Sequence, residues 1–260
     1  MKDFINYHYD KSINKINKNS IKNFKFLHIP KTGGTYVRSK LSWEFIEGHD
    51  FTIYKLLKLN KLNYQPYSTV RNPIDYYISV FSEHSIASLL HIKKTQPRTK
   101  VDNRRFEFLY NLITEDDKNI TQENILESLL SLKNPAIVSS FSYIYGRSNK
   151  FKIYEYINLY DIGIYTFFFL NHFSQKKIEN INSLDKIEKE INLIKNNVKF
   201  IPLNNIDEEL ETIARNNKIY LKKIFLDKNK NLEKKILLNS NQIEKIKFKE
   251  RFLFNTFNFE

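Results

Sequence analysis

Hydrophobic residues along the chain follow two spacings, one typical of strands and one typical of helices. FKFLHI (24–29) and QPYSTV (65–70) are short runs of strand length, and a turn follows each of them. Helical spacing then predicts helices from 36 to about 44 and from 72 to about 91. Because short strands alternate with helices, the pattern predicts an α/β fold with a mainly parallel sheet.

The same patterns predict further elements and the domain limits. We expect short strands at 43–46 and at YDIGI (160–164), helices at 51–62, 104–113 and 121–132, and core-facing amphipathic helices at 178–198 and 206–224. Residues 1–23 are polar and weakly periodic, which indicates a poorly structured lead-in. No linker rich in Gly, Ser or Pro divides the remainder, so 24–260 is predicted to be a single domain.

Composition excludes several classes of protein. Of the 260 residues, 41% are hydrophobic, too many for a disordered chain, and five Gly and six Pro are too few for a collagen-like one. No apolar run reaches the ~18 residues that a membrane helix needs, and the N-terminus lacks the apolar segment of a secretory signal. Since Cys is absent as well, we expect a cytoplasmic protein without disulfides or a transmembrane segment.

The chain is basic, with 42 Lys and Arg against 29 Asp and Glu and a net charge of +13, which predicts attraction to anions. Basic residues are dense in the stretch 92–105. We interpret this stretch as a solvated loop in a Lys-rich chain, with reception of an acidic glycan acceptor as the alternative. Nucleic-acid binding is not predicted, because the charge is dispersed and the sequence has no recognition motif.

The segment FLHIPKTGGTY (26–36) contains the most informative motif. An apolar strand ends there, and a Thr-Gly-Gly-Thr turn opens a helix. Glycines allow successive backbone N–H groups to point at one anion, and the helix N-terminus adds its positive end. Lys31 adds a mobile positive charge beside the turn. We therefore predict a loop that binds phosphate or sulfate, distinct from G-x-x-x-x-G-K-[ST], in which Lys follows the glycines.

Two signatures resemble those of the sulfotransferases that use 3′-phosphoadenosine 5′-phosphosulfate (PAPS), especially the Golgi carbohydrate 2-O-sulfotransferases and their bacterial relatives. HIPKTGGT (28–35) matches the family signature that holds the 5′-phosphosulfate. TVRNPIDYYISVF (69–81) matches V-R-[DN]-P-x-x-R-x-x-S, which binds the 3′-phosphate in the family; Arg71 and Ser79 have the family's spacing. The resemblance implies a P-loop-like three-layer sandwich, in which helices flank the central sheet.

The chain departs from both signatures at aromatic residues. Tyr36 stands where the family usually has a Ser or Thr that contacts the phosphosulfate. Tyr76 or Tyr77 stands where the family often has Arg or Lys, and Asn72 replaces a commoner Asp. We expect the changes in the second signature to lie at helix-capping or outer positions, and we keep Tyr36 among the residues expected to bind the donor.

A histidine between the two signatures is the expected general base. Glu47-Gly48-His49 resembles the Gly-His of the 2-O-sulfotransferase branch. The unperturbed pKa of His, about 6.5, suits proton transfer from a hydroxyl near neutrality. His84 is the alternative base, although a polar residue that flanks the core is the simpler interpretation of it.

Fainter likeness to the family extends over roughly residues 24–225. SSFSYIYGR (139–147) is similar to the segment before the family's cofactor-covering loop, and its Arg147 could reach the 3′-phosphate or the sulfate. INLYDIGIYTFF (157–168) is similar to a buried strand of the family, and IPLNN (201–205) to a later Pro-x-x-Asn turn.

The resemblance implies that the protein transfers a sulfuryl group from PAPS to a hydroxyl of an acceptor, which in this family is usually a carbohydrate. Lys31 would bridge the sulfate and the leaving phosphate, His49 would take the proton of the acceptor, and no metal is required. The residues expected to bind the donor are Lys31, Thr32, Gly33, Gly34, Thr35, Tyr36, Arg71, Ser79 and Arg147. Two alternatives stay open: a catalytically silent nucleotide- or glycan-binding protein on the same scaffold, and a P-loop nucleotide-dependent kinase.

Overall fold

The computed structural model of the chain describes residues 24–27, 29, 32–41, 46–47, 65–83, 130, 150–174, 176–222 and 237–260. The strands in these residues are β1 (Phe24–Leu27), β2 (Ile46–Glu47), β3 (Gln65–Val70) and β4 (Lys199–Pro202). The α-helices are α1 (Gly34–Lys40), α2 (Pro73–Glu83), α3 (Lys150–Tyr160), α4 (Ile164–Phe173), α5 (Leu184–Asn197), α6 (Ile206–Asn217), α7 (Ser240–Lys249) and α8 (Arg251–Phe257). Short 3-10 turns at Ile178–Asn180 and Leu203–Asn205 precede α5 and α6.

The described strands form one parallel sheet in the order β2-β1-β3-β4. From β1 the chain passes to β2 on one side, and then to β3 on the other side of β1. This reversal makes a topological switch point at the carboxyl ends of β1 and β3, the place where open α/β sheets bind ligands. The predicted α/β class with a parallel sheet is therefore confirmed.

Alternating side chains of the strands fill two apolar cores, one on each face of the sheet. Phe26 of β1 and Ile201 of β4 pack on one face with Val37 of α1 and Leu210 of α6. The next residue of β1, Leu27, lies on the opposite face in a larger core built from α2, α4, α5 and α8. Helices of the described part of the chain thus cover both faces.

Helix α4 is buried around its whole circumference, in contrast to the strand predicted there. Nine of its ten residues are buried. The predicted strand at 160–164, and with it the buried-strand interpretation of 157–168, is wrong: α3 continues to Tyr160, the chain turns at Asp161 with φ 49°, and α4 begins after Gly163. A continuous apolar run lacks the periodicity that separates a buried strand from a buried helix.

A buried carboxylate between α7 and α8, that of Glu250, caps the N-terminus of α4. Its Oε1 accepts hydrogen bonds from the Tyr77 hydroxyl (2.8 Å) and the Tyr165 N–H (3.0 Å), and its Oε2 accepts from the N–H (2.8 Å) and hydroxyl (2.7 Å) of Thr166. Position 163 has room only for glycine, because a Cβ there would overlap Glu250 Oε1. Burial raises the pKa of Glu250, and the hydrogen bonds oppose that shift. One side chain therefore joins α2, α4 and the α7–α8 junction.

The two Ile-rich stripes form core-facing helices, as predicted, but both helices are shorter than their stripes. Ser183 caps α5, since its hydroxyl accepts a hydrogen bond from the Lys186 N–H (3.2 Å), and the helix begins only after it. Helix α6 ends at Asn217, because Lys218 takes the left-handed conformation with φ 54°. Strand β4 was not predicted, since a four-residue strand that ends in Pro202 is too short to show alternation.

Other predictions are met in part or lie outside the described residues. Strand β2 (Ile46–Glu47) overlaps the predicted strand 43–46 at one residue, and the predicted turn at 201–205 is strand at its first two residues. Helix α1 begins two residues before position 36. Outside the described residues lie the lead-in 1–23, the predicted helices at 51–62 and 104–113, the segment 139–147, and the predicted helix 121–132 apart from helical Leu130.

Candidate functional site

The candidate site lies at the carboxyl edge of the sheet, where the segments after β1, β3 and β4 converge. Strands β1 and β3 are neighbours, so the residues that follow Leu27 and Val70 leave the sheet side by side. These residues belong to the two signature segments, 28–35 and 69–81. The topology thus brings together two segments that lie about 40 residues apart in sequence.

A hydrogen bond between threonine hydroxyls joins the two segments. Thr32 is fully buried, and its Oγ1 donates to the Ile29 carbonyl (2.9 Å). Since that bond uses the single hydrogen of the Thr32 hydroxyl, Thr69 donates to Thr32 across 2.9 Å. Below this pair, the Ser68 hydroxyl donates to the Leu27 carbonyl (2.7 Å). The side chain of Thr32 therefore locks the segment after β1 to strand β3.

The glycine turn after β1 is shaped by its left-handed first glycine. Gly33 has φ 86° and ψ 9°, a conformation that glycine adopts without steric cost, and it precedes α1 directly. A Cβ at this position would overlap the Leu203 side chain, which follows β4. The next residue, Gly34, is the buried first residue of α1, and Thr35 is the second. The turn is thus packed closely against the segment after β4.

Tyr36 is bonded to α6. Its hydroxyl donates a hydrogen bond to the Asp207 carboxylate in the first turn of that helix. Burial, and after it the hydrogen bond to Asp207, raises the pKa of Tyr36 to about 12, so the phenol is neutral at physiological pH. The structure therefore shows a contact that ties α1 to α6 at the position where the related family has a smaller hydroxyl side chain.

Arg71 is the cation that the structure describes at this edge. It follows β3 directly, its side chain is half-buried, and its backbone N–H donates to the Tyr165 hydroxyl (3.2 Å). Burial lowers the pKa of Arg71, while the negative charge of Asp75 opposes that shift. An arginine stays protonated despite such a shift, so a partly desolvated guanidinium cation lies beside the switch point.

Helix α2 begins as the sequence predicts and carries Ser79 beyond Arg71. Asn72 caps it, because its Oδ1 accepts a hydrogen bond from the Ile74 N–H (2.9 Å), and Pro73 is the first helical residue. Asp75 is exposed in the first turn, and half-buried Ser79 is four residues further on, which places both on one side of the helix. Ser79 lies about 9 Å along the axis from Pro73. Along the chain, Asp75 therefore lies between Arg71, which precedes the helix, and Ser79, which is one turn further on.

The expectation that Tyr76 and Tyr77 occupy outer positions is wrong. Their exposed fractions are 1% and 3%, and both belong to the larger apolar core. The ring of Tyr76 stacks on that of Tyr165 with centroids 4.0 Å apart, and Tyr77 donates to Glu250. Tyr76 and Tyr77 are three and four residues after buried Pro73, so all three lie on one face of α2. This spacing could have identified the two tyrosines as core residues.

Sequence reasoning missed four residues that shape this edge: Thr69, Tyr165, Leu203 and Glu250. Thr69 falls inside the second signature, so its position at a strand end was a usable signal. The other three reach the site from α4, the segment after β4 and the α7–α8 junction. Their roles depend on tertiary contacts that no local pattern encodes.

Several expected site residues lie outside the described residues, namely Lys31, His49, His84, Arg147 and the basic stretch 92–105, as does the side chain of Thr35. Within the described residues, no group of three or more His, Asp or Glu side chains could hold a metal ion. Nor is any helix there long and apolar enough to cross a membrane.

Comparison with known proteins found no relative of this chain. The chain matches no family model, no curated protein and no solved structure.

Proposed function

We propose that the protein is a PAPS-dependent sulfotransferase that transfers a sulfuryl group to a hydroxyl of a carbohydrate. The observation that carries this proposal is the link between Thr32 and Thr69, with oxygens 2.9 Å apart. It joins the two segments that resemble the family's phosphosulfate and 3′-phosphate signatures, beside the half-buried Arg71. Helices on both faces of a parallel sheet support the finer assignment, a P-loop-like three-layer sandwich.

Arg71 and Ser79 are the proposed ligands of the 3′-phosphate. A guanidinium offers a planar set of donors that matches phosphate oxygens, and partial burial strengthens such a contact. Ser79 adds a hydroxyl donor on the next turns of α2. A nucleotide without the 3′-phosphate would leave Arg71 without this contact, so the pair would separate PAPS from ATP.

The turn at Gly33 and Gly34, with the backbone of Thr35, is the proposed holder of the 5′-phosphosulfate. The donor supplies an activated sulfuryl group, and in the transfer a bond forms between the acceptor oxygen and sulfur while the bond from sulfur to the 5′-phosphate oxygen breaks. The acceptor proton passes to His49, and Lys31 favours the charge that develops on the leaving phosphate. The roles of Lys31 and His49 come from the resemblance alone.

A catalytically silent nucleotide-binding protein is the second candidate. Tyr36 favours it, because this hydroxyl donates to Asp207, whereas the family residue at this position contacts the phosphosulfate. Such a protein would bind the nucleotide through Arg71 and Ser79 and leave the sulfuryl group in place.

Calorimetric titration with adenosine 3′,5′-bisphosphate, ATP and AMP tests the binding part of the proposal. We expect the wild type to bind the bisphosphate at least tenfold more tightly than ATP or AMP. The variant R71A should lose this preference, and R215A, which removes an exposed cation from the last turn of α6, should keep it. No binding, or equal preference for ATP, would refute the assignment.

Transfer of ³⁵S from labelled PAPS to a panel of uronate-containing polysaccharides tests the chemical part. We expect label in at least one polysaccharide with the wild type. The variant H49A should bind the bisphosphate unchanged and transfer no label. Undiminished transfer by H49A would remove His49 from the mechanism, and tight binding without transfer by the wild type would favour the silent protein.

A further inference from the structure

Tyr165 connects the candidate site to the core beneath it. It is the second residue of α4 and is fully buried. Its hydroxyl accepts the hydrogen bond from the Arg71 N–H (3.2 Å), although the two residues are 94 positions apart. Tyr165 thus meets the segment after β3 through the backbone of the residue that carries the site's described cation.

Two contacts fix where the Tyr165 hydroxyl lies. The ring stacks face to face on Tyr76, with centroids 4.0 Å apart and planes 5° apart. The backbone N–H donates to Glu250 Oε1 (3.0 Å), which holds the first turn of α4 in place. Burial raises the pKa of Tyr165, so the hydroxyl stays neutral, and a lone pair of its oxygen accepts the Arg71 N–H. The hydroxyl is therefore a rigid acceptor.

Arg71 needs such an acceptor because it is the first residue beyond β3. The described pairing of β3 ends at Ser68 on the β1 side and at Val70 on the β4 side, and beyond Val70 the sheet no longer directs the backbone. The capped start of α2 then fixes the chain from Asn72 onward. The bond to Tyr165 holds the backbone between these two elements, at the residue that bears the guanidinium.

We propose that Tyr165 is a positioning residue for Arg71, and that it tunes recognition of the 3′-phosphate through the Arg71 backbone. The contacts of Tyr165 support its effect on the Arg71 backbone, whereas its effect on recognition of the 3′-phosphate rests on the proposed function. Loss of the hydroxyl leaves a partly buried N–H without its acceptor, which the local backbone relieves by moving.

Hydrogen exchange in the ligand-free protein tests the backbone statement. In the wild type the Arg71 amide should exchange at least tenfold more slowly than an unprotected amide. In Y165F, which keeps the ring but not the hydroxyl, exchange at Arg71 should accelerate about tenfold, while Val70 changes little. Y156F is the matched control, because Tyr156 is another buried tyrosine whose hydroxyl bonds elsewhere, to the Ile181 carbonyl (2.5 Å).

An unprotected Arg71 amide in the wild type, or unchanged exchange in Y165F, would overturn the inference whether or not the protein binds a nucleotide. If Y165F fails to fold, an unprotected Arg71 amide in the wild type still overturns the inference.

Nucleotide binding tests the second statement, with adenosine 3′,5′-bisphosphate compared with adenosine 5′-phosphosulfate, which lacks the 3′-phosphate. We expect Y165F to bind the bisphosphate about tenfold more weakly and the phosphosulfate unchanged, and Y156F to bind both as the wild type does. Equal losses for both nucleotides would overturn the positioning role. Faster exchange at Arg71 with a wild type that binds neither nucleotide would support the backbone statement and refute the proposed function.

Discussion

Replacement of Gly163 by Ala should destabilise the protein, although the backbone at this position suits alanine. The conformation, φ −86° and ψ 166°, is extended and open to any residue. An alanine in a compatible conformation usually adds about 0.4–1 kcal/mol, because it restricts the unfolded chain. Here the added Cβ would overlap Glu250 Oε1 and lie 2.8 Å from the Tyr77 hydroxyl. Steric overlap and backbone entropy therefore predict changes of opposite sign in the free energy of unfolding.

The size of the effect follows from what the carboxylate loses when it moves. Glu250 accepts four hydrogen bonds, from Tyr77, Tyr165 and twice from Thr166. A hydrogen bond to a charged group contributes about 1.5–3 kcal/mol, so the loss of one or two of these four would cost about 2–5 kcal/mol. Since a displaced carboxylate keeps some of these donors, we expect G163A to lower the free energy of unfolding by about 3 kcal/mol.

Urea denaturation followed by far-UV circular dichroism measures this change. With an m value of about 3 kcal/mol per M, the midpoint should fall by about 1 M. The matched background is E250A, in which the overlapping oxygen is absent. There only the close approach to the Tyr77 hydroxyl remains, so G163A should cost about 1 kcal/mol or less, and the double-mutant cycle should give a coupling energy of about 2–3 kcal/mol.

Two results would refute this reasoning. A G163A protein as stable as the wild type would show that the Glu250 carboxylate has room that the structure denies it. An equal loss in both backgrounds would assign the effect to the helix start itself and not to the carboxylate.

Two further predictions concern other contacts. The pKa of Tyr36, about 12 against an ordinary value of 10.0, should appear in stopped-flow difference absorbance between wild type and Y36F. The variant D207N should lower this pKa. The stability that this raised pKa contributes is complete below about pH 10 and is lost as the pH rises through about 12. Lys176 donates to Glu190 (2.7 Å), whose side chain is 1% exposed, so K176M should cost about 1 kcal/mol in urea denaturation. K186M, at an exposed contact, should cost less than about 0.5 kcal/mol, and equal losses would contradict the role of burial.

Local sequence patterns were sufficient to predict the strands and the helix start that meet at the candidate site. Strand 24–27 lies in the compact apolar run 24–29, and strand 65–70 is a short run of strand length that ends at a turn. The Asn72–Pro73 helix start follows from capping chemistry alone. Adjacency of the two strand ends was not predictable in the same way. It depends on the sheet order, which places β3 next to β1 and β2 on the other side.

Prediction failed where burial removes periodicity or where the partner is remote. Helix α4 has no polar face, so its spacing resembles that of a buried strand, and it was mistaken for one. Glu250 carries no local signal of its role, because its donors lie on α2 and α4. Tyr77 shows a related difficulty: comparison with a family signature suggested an outer position, whereas the structure buries its side chain in the core.

The carboxylate of Glu250 also imposes an order of events on biosynthesis. Glu250 lies 77 residues beyond Phe173, the last residue of α4, so a ribosome that adds about 5–20 residues per second completes α4 roughly 4–15 s before its cap is made. During that interval the apolar circumference of α4 has neither its cap nor the packing of α8. The face of the sheet that holds α4 can therefore reach its final arrangement only after translation of the α7–α8 junction. The contact between Tyr165 and Arg71 is completed at the same stage.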